Sequence, residues 1–411
     1  MKLLHTSDWH LGQSLYGRKR YEEFKGFLDW LSSLIEAESI EALLIAGDVF
    51  DNGTPSNRAQ ELYYDFLQKA SRTCCQNIVV IAGNHDSPSF LDAPKRLLRA
   101  LDVHVVGQKA KTAKGEVLVL YGESSRPQAI VCAVPYLRDR DIRVVEPGES
   151  IKEKDAKLIA GIKKHYQDVC SLAEQRQLEL SKEGHPRIPI IVMGHLFMAG
   201  GKTVGGGGIR KLGLLTQVGA DIFSASVDYV ALGHLHIPQH VDGAEHIRYC
   251  GSPIPLNYDE ANQEKTVIIA EFGDAAPNID IIPIPRFQFL ERIVGSLDEI
   301  TTRLSQLCKD GSNAWLEIEY TGAELVGNLR EIFYESIAGS SMEIRRIKNR
   351  AAFNRVLTSI RDEEMLEDLD VHRVFESCLK SFEIPPHERN GLLTSHNEIL
   401  QLLSEKDSRA E

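Results

Sequence analysis

Nothing in this chain approaches the roughly 20 consecutive apolar residues that a membrane-spanning helix requires, so no span is expected. Cysteine is sparse and without pattern. Cys74, Cys75, Cys132, Cys170, Cys250, Cys308 and Cys378 are seven, an odd number, and none shows CxxC spacing. That argues against a zinc knuckle or a disulfide framework and predicts reduced, mostly buried thiols, with the adjacent Cys74-Cys75 pair filling core. The GxxxxGK[ST] order of a P-loop is missing, so any dependence on ATP must come from another chain. Positive charge is also in deficit: 47 Lys and Arg stand against 59 Asp and Glu, a net charge of −12. Binding a polyanion would then rest on local patches and on bound cations, not on the whole-chain sum. A removable leader is not expected either, because Met1 lies seven residues before Asp8 and the strand between them is needed to deliver Asp8. These absences predict a cytoplasmic protein.

Present instead are five apolar runs, each ending in polar residues that carry chemistry. Lys2–His5 leads to Asp8-Trp9-His10, and Ala42–Ala46 to Gly47-Asp48. Ile78–Ala82 leads to Gly83-Asn84-His85-Asp86, Ile190–Met193 to Gly194-His195, and Tyr229–Leu232 to Gly233-His234-Leu235-His236. Continuous apolar runs of this length read as buried parallel strands, and the sites of open α/β sheets gather at the carboxyl ends of such strands. Two carboxylates, an amide and four imidazoles around one point suit two divalent metal ions sharing a carboxylate, which is chemistry for cleaving phosphate esters. Oxygen and imidazole donors without thiolate favour Mn²⁺, Fe²⁺ or Zn²⁺ over Mg²⁺ or Ca²⁺. His234 and His236, two apart, would share a face in a regular strand but on a short loop could diverge to separate ions.

The 411 residues allow one large domain and one or two smaller ones. Strands alternate with amphipathic helices over 1–283, with helices predicted at Tyr21–Glu38, Asn57–Ser71 and near Asp155–Leu180. The run from Gly200 to Gly208 reads as a mobile loop. A small βαβαβ unit is predicted over 284–350, with strands at Phe287–Val294, Trp315–Tyr320 and Met342–Ile347. From 351 to 411 a helical, acidic tail carries two short apolar stripes, one from Val371 to Phe382 and one from Leu392 to Leu403, that suit a partner's surface or docking back on the catalytic domain. Four basic clusters are patches that a polyanion could meet, although any one alone reads as a solvated face: Arg138, Arg140 and Arg143; Lys202 with Arg210-Lys211; Arg345-Arg346 with Lys348 and Arg350; and Arg18-Lys19-Arg20, the candidate for DNA contact because it follows Asp8 and His10 closely.

The order D-x-H, GD, GNHD, GH, GHxH, with TSDWHLG, AGDVFD, AGNHDS, ALGHLH and CGSPIPL as its segments, closely resembles the calcineurin-like metallophosphoesterase family, and within it a nuclease branch. The likeness runs over nearly the whole chain, tail included. It implies a layered α/β sandwich, a small capping domain and a helical tail. It also implies one ion on Asp8, His10 and His236, a second on Asn84, His195 and His234, and Asp48 bridging the two. Both ions would be Mn²⁺. His85 matches the position that contacts the scissile phosphate and leaving group, where a proton donor helps an alkoxide depart. Asp86 would orient His85 or cap the following helix. Relatives often have His three residues after the bridging Asp; here Asp51 stands there, a candidate partner for a metal-bound imidazole.

The implied activity is cleavage of double-stranded DNA ends and hairpins, as exonuclease and endonuclease, alongside an SMC-like ATPase docked on the tail. A nucleoid location and a homodimer would follow, the latter built from helices near Asn57–Ser71 and Ser89–Leu101 with Leu62, Tyr63 and Phe66 as its apolar face. Two competing readings are a metallophosphoesterase acting on a small phosphodiester and a catalytically silent scaffold.

Overall fold

Alternate side chains of a strand leave in opposite directions, and here both directions are apolar. Leu43 and Ile45 of Ala42–Ala46 point to one core, while Ala42, Leu44 and Ala46 point to another. The same split recurs in Asn77–Ile81, Pro127–Ala133, Ile190–His195 and Tyr229–Gly233. Such strands must be covered on both faces, and the chain meets that demand with four layers. Helices Tyr21–Ala37 and Asn57–Ala70 cover one sheet, and helix Ile151–Lys182 covers the other. The inner faces of the two sheets meet in a third core rich in small residues, among them Ala46, Ala129, Ala133 and Ala231.

The computed structural model describes residues 1–122, 125–143, 149–201, 218–273, 276–322, 324, 326–350, 375, 379, 389 and 391–397. The chain divides into two units, Met1–Phe289 and Leu290–Glu411. In the first, one six-stranded sheet runs Asn278–Pro283, Thr266–Glu271, Lys2–Thr6, Ala42–Ala46, Asn77–Ile81, Val103–Val106; its last four strands are mutually parallel. The second runs Gln239–Val241, Ala244–Tyr249, Tyr229–Gly233, Ile190–His195, Pro127–Ala133, Val117–Tyr121, and its four central strands are parallel. The fold is a layered α/β sandwich. The five strands predicted to carry functional ends are all parallel members of these sheets.

The second unit is a βαβαβ arrangement: Leu290–Gly295, Leu297–Lys309, Trp315–Tyr320, Leu329–Ser336, Glu343–Asn349, with all three strands parallel. Ser296 and Glu299 cap its first helix reciprocally. Ile300, Leu304, Leu316, Ile318 and Phe333 form its core.

Several elements differ from expectation. Residues 284–289 stay with the first unit, because Ile284 lies in its core and Phe287 packs on that core. The long helix begins at Ile151, a turn earlier than its apolar spacing suggests, because Ser150 and Glu153 form a capping box there. Tyr63 and Phe66 are buried in the first unit's core, so of the three residues read as an apolar face only Leu62, packed half-buried against that core, keeps exposed surface. The segment after Ser87 is three short helical turns, Pro88–Asp92, Lys95–Leu98 and Arg99–Leu101, that leave Leu97 exposed. Cys75 is buried but Cys74 is exposed. Most of the tail stripes, and the glycine run beyond Gly201, lie outside the described residues. Among the described residues no helix is long and apolar enough to cross a membrane.

Candidate metal centre

The strand ends of both sheets converge on one point, and they reach it by breaking local rules. Asp8, His10, Asp48 and His234 all have left-handed backbone, at φ of 53°, 48°, 49° and 100°. Non-glycine residues hold such conformations only when their surroundings enforce them, and the cost is commonly met at functional sites. Enforcement is visible: Asp8 N–H donates to Gly47 O at 3.0 Å, His10 N–H to Asp48 O at 2.9 Å, and His234 N–H to Asp8 Oδ1 at 2.9 Å. Between Asp8 and His10, Trp9 points the other way. It is buried edge-on against Phe27 and Phe66, with its N–H donated to Thr6 Oγ1. Two glycines make the approach close enough. A Cβ on Gly47 would lie 2.3 Å from His195 Nδ1, and one on Gly83 would lie 2.1 Å from Asp48 Oδ1.

Asp48 is central. Its Oδ2 lies 3.5 Å from His10 Nε2 and 3.3 Å from His195 Nε2, while its Oδ1 accepts the His85 backbone N–H at 2.9 Å. On one side of it, donor atoms of Asp8, His10 and His236 lie within 4.8 Å of one another. On the other, Asn84 Oδ1 lies 3.1 Å from His195 Nε2 and 2.9 Å from His234 Nδ1. All seven predicted ligands are therefore brought together.

The donor set fits divalent cations on three observations. His10 Nε2 is buried with no hydrogen-bond partner, an orphan that a cation would satisfy. His195 gives its Nδ1 hydrogen to Ala46 O at 2.9 Å, which commits that nitrogen and leaves Nε2 as the position, facing Asp48 and Asn84, where a proton or a cation is held. The charges also ask for a cation. Burial alone would lift Asp48, but His195 and His10 hold its carboxyl far below the usual carboxylate range. Burial alone would discharge His195, yet Asp48 outweighs it and raises that ring to about 9. His10 is raised too, by Asp51 and Asp48 against burial. His234 instead falls to about 4 through burial and the neighbouring His195 charge.

Protons thus stand where cations would, and a pH dependence follows for metal-free protein. His195 is raised above its ordinary value of 6.5, so its contribution is fully present below pH 6.5 and lost as pH rises through about 9. That contribution is on the order of 3 kcal/mol. Chelated wild-type protein should lose several degrees of Tm between pH 6.5 and 9.5, and a His195→Gln chain should lose much less over the same interval.

Around this centre the other candidates divide. Asp51 lies 3.6 Å from His10 Nδ1 through its carboxylate, and its carbonyl accepts from His85 Nδ1 at 2.9 Å, leaving His85 Nε2 for a substrate. The His10 and His85 rings stand edge-on, 4.8 Å between centroids. Asp86 neither orients His85 nor caps the next helix, which Ser87 caps. Its buried carboxylate instead accepts backbone N–H groups of Val49, Phe50 and Gly83, tying the Asp48 loop to the Asn84 loop. Burial and then the Asp48 charge push Asp86 up to about 6.

Arg20 is no DNA contact. It is 1% exposed, paired with both oxygens of Glu23 and bonded to Gln13 and Pro255 O. Arg18 and Lys19 remain exposed on a short strand paired with Ser14–Leu15. Arg143 is taken up by Asp139 and Glu149. In the second unit Arg346 and Lys348 pair with Glu317 and Arg350 with Glu319, which neutralises part of that patch.

Glu260 is a functional residue that the motifs do not reveal. It is 1% exposed, and its Oε1 faces His236 Nδ1 at 3.3 Å, while the His236 ring stands edge-on to His10 with centroids 5.2 Å apart. Lys265 Nζ at 2.6 Å, Ser252 Oγ at 3.2 Å and Leu256 N at 3.1 Å hold the carboxylate in place. Despite burial, His236 and Lys265 draw Glu260 down to about 2. Its one signal in the chain is its place at the end of the CGSPIPLNYDE segment, of which only the opening belongs to the motif set. Carboxylates that brace a ligating imidazole are worth about 10–100-fold in metal affinity. Glu260→Gln should weaken metal binding by that factor in calorimetric titration while far-UV circular dichroism stays unchanged.

Carboxylate, amide and imidazole donors from the parallel strands of two stacked mixed sheets, gathered about one central Asp, define a metal-dependent phosphoesterase. The chain belongs to the calcineurin-like phosphoesterase family, which it matches over residues 1–238. Residues 286–382 match a second family, SbcD_C, described as the type 5 capsule protein repressor C-terminal domain. Among curated relatives, the SbcD component of nuclease SbcCD from Escherichia coli (strain K12) is 34% identical over 403 residues, 95% of this chain and 96% of the relative. The Rhodobacter capsulatus protein of that name is 37% identical over 70% of each chain. The Bacillus subtilis one is 30% identical over 81% of this chain and 82% of its own. The chain is accordingly a metal-dependent phosphodiesterase of the nuclease kind.

Proposed function

We propose that this chain is the DNA-cleaving component of an SbcCD-type complex. Two Mn²⁺ would be held by Asp8, His10 and His236 on one side and by Asn84, His195 and His234 on the other, with Asp48 shared. When bound, the cations supply charge stabilisation to the phosphoryl oxygens and lower the pKa of an attacking water. The remaining work falls to the chain. Asp51 and Glu260 fix the rings of His10 and His236. Asp86 holds the two loops at a constant separation. His85, anchored through Nδ1, protonates the departing sugar oxygen from Nε2.

The substrates would be double-stranded ends, digested 3′ to 5′, and single-stranded or hairpin DNA, cut internally. The partner would be an SbcC-type SMC-like ATPase that contacts the tail, in a heterotetramer containing two copies of this chain. The setting would be the bacterial nucleoid, in repair, recombination and replication. The observation that carries the reading is the convergence of seven ligands and His85 in a chain that aligns with a nuclease component over 95% of its length. Purified chain with Mn²⁺, with and without the ATPase, should degrade linear duplex and open hairpins. Hydrolysis confined to small diesters would overturn it in favour of a small-molecule phosphodiesterase.

A further inference from the structure

The recess beside the metal centre is apolar, which phosphate chemistry does not require. A cavity of about 110 Å³ is lined by His195 and His234 together with Tyr136, Leu137, Leu158 and Phe197 among others. Phe197, itself buried, meets the His234 ring edge-on with centroids 6.4 Å apart. Tyr136, half-buried, meets His195 edge-on at 6.3 Å. A phosphodiester and its cations gain nothing from aliphatic and aromatic walls. In DNA, the apolar faces belong to the bases. Because the same two imidazoles line both the recess and the metal centre, a phosphate held at the centre has its own nucleoside beside the opening.

We propose that this recess receives one unstacked nucleobase of the nucleotide adjoining the scissile phosphate. The proposal rests on the nuclease reading and narrows it. A base must leave the stack to enter, and leaving is cheapest where a stacking or pairing partner is missing, at duplex ends and in hairpin loops. Aromatic walls accept any base, since every base has a π-face, so the recess selects for ends and loops without reading sequence. The mixed lining suits this, with aromatic rings such as Tyr136 and Phe197 to stack on and aliphatic side chains such as Leu137 and Leu158 beside them.

The test uses the full chain with Mn²⁺, with and without its ATPase, and two linear duplexes. In one the terminal nucleotide is intact; in the other a tetrahydrofuran abasic analogue replaces it. Loss of the base removes the cost of unstacking, so without a subsite the abasic end should react as fast or faster. The recess predicts the reverse: kcat/KM about 10-fold or more lower for the abasic end. Anisotropy measured in EDTA should show weaker binding of the same duplex. Filling the recess should abolish the difference, so that Leu158→Trp treats both ends within about twofold, by the logic of a double-mutant cycle. Leu137→Trp serves the same purpose if Leu158→Trp does not fold. Equal rates on both ends in wild type, or an abasic penalty that survives filling, would overturn the subsite while leaving the nuclease reading intact. Failure of wild type to cut either duplex under any of these conditions would overturn the nuclease reading and the subsite with it.

Discussion

A His85→Ala chain is expected to bind metal as wild type does and to cleave DNA about 10²–10⁴-fold more slowly. His85 lies outside the two proposed ligand sets but clusters with His10 and Asp51, in ring contact with His10 and with Nδ1 tied to the Asp51 carbonyl at 2.9 Å. That anchor sets the ring's direction through Nδ1 and leaves Nε2 as the nitrogen that would meet a substrate. If its task is to protonate the leaving oxygen, the penalty must depend on the leaving group. A sugar alkoxide needs the proton, whereas 4-nitrophenolate does not. Single-turnover rates on DNA and on a 4-nitrophenyl diester therefore separate the roles. The loss should be large on DNA and should shrink to a small factor on the activated diester. An equal loss on both would assign His85 to phosphate binding instead.

Asp48→Asn should be more severe, because it acts on metal binding itself. The Asp48 carboxylate stands between His10 and His195 at 3.5 and 3.3 Å, and an amide offers one acceptor oxygen where the carboxylate offers two. It also removes the charge that offsets two buried imidazoles. Metal stoichiometry by calorimetry should fall by at least one per chain, and DNA cleavage should fall beyond the loss in His85→Ala. Retention of full stoichiometry with near-normal activity would rule Asp48 out as the shared ligand.

What is legible in the chain follows from the physics of strands. A buried parallel strand is a continuous apolar run, so its polar end stands out, and five such ends mark in the sequence the seven side chains that the fold gathers about Asp48. Side chains whose role depends on burial leave no such mark. Arg20 sits in a basic triplet and looks like a surface cation, but the Glu23 three residues on and the Pro255 carbonyl from a distant loop bury it. Asp86 reads as a helix cap from its position, whereas three backbone N–H groups from two loops claim it. Glu260 belongs to no periodic pattern; only the return of its segment to His236 reveals it. Tyr63 and Phe66 fit a helical stripe equally well inside or outside, and burial decides for inside. Left-handed backbone at Asp8, His10, Asp48 and His234 is likewise invisible to local preference, which opposes it at every one of those positions.

The central claim is a pair of cations about Asp48. Anomalous diffraction at the manganese edge, from crystals of the chain grown with Mn²⁺, tests it most directly. Two peaks are expected, roughly 3.5–4 Å apart. One should lie against Asp8, His10 and His236, the other against Asn84, His195 and His234, with the Asp48 carboxylate between them. A single peak, or peaks away from Asp48, would contradict it.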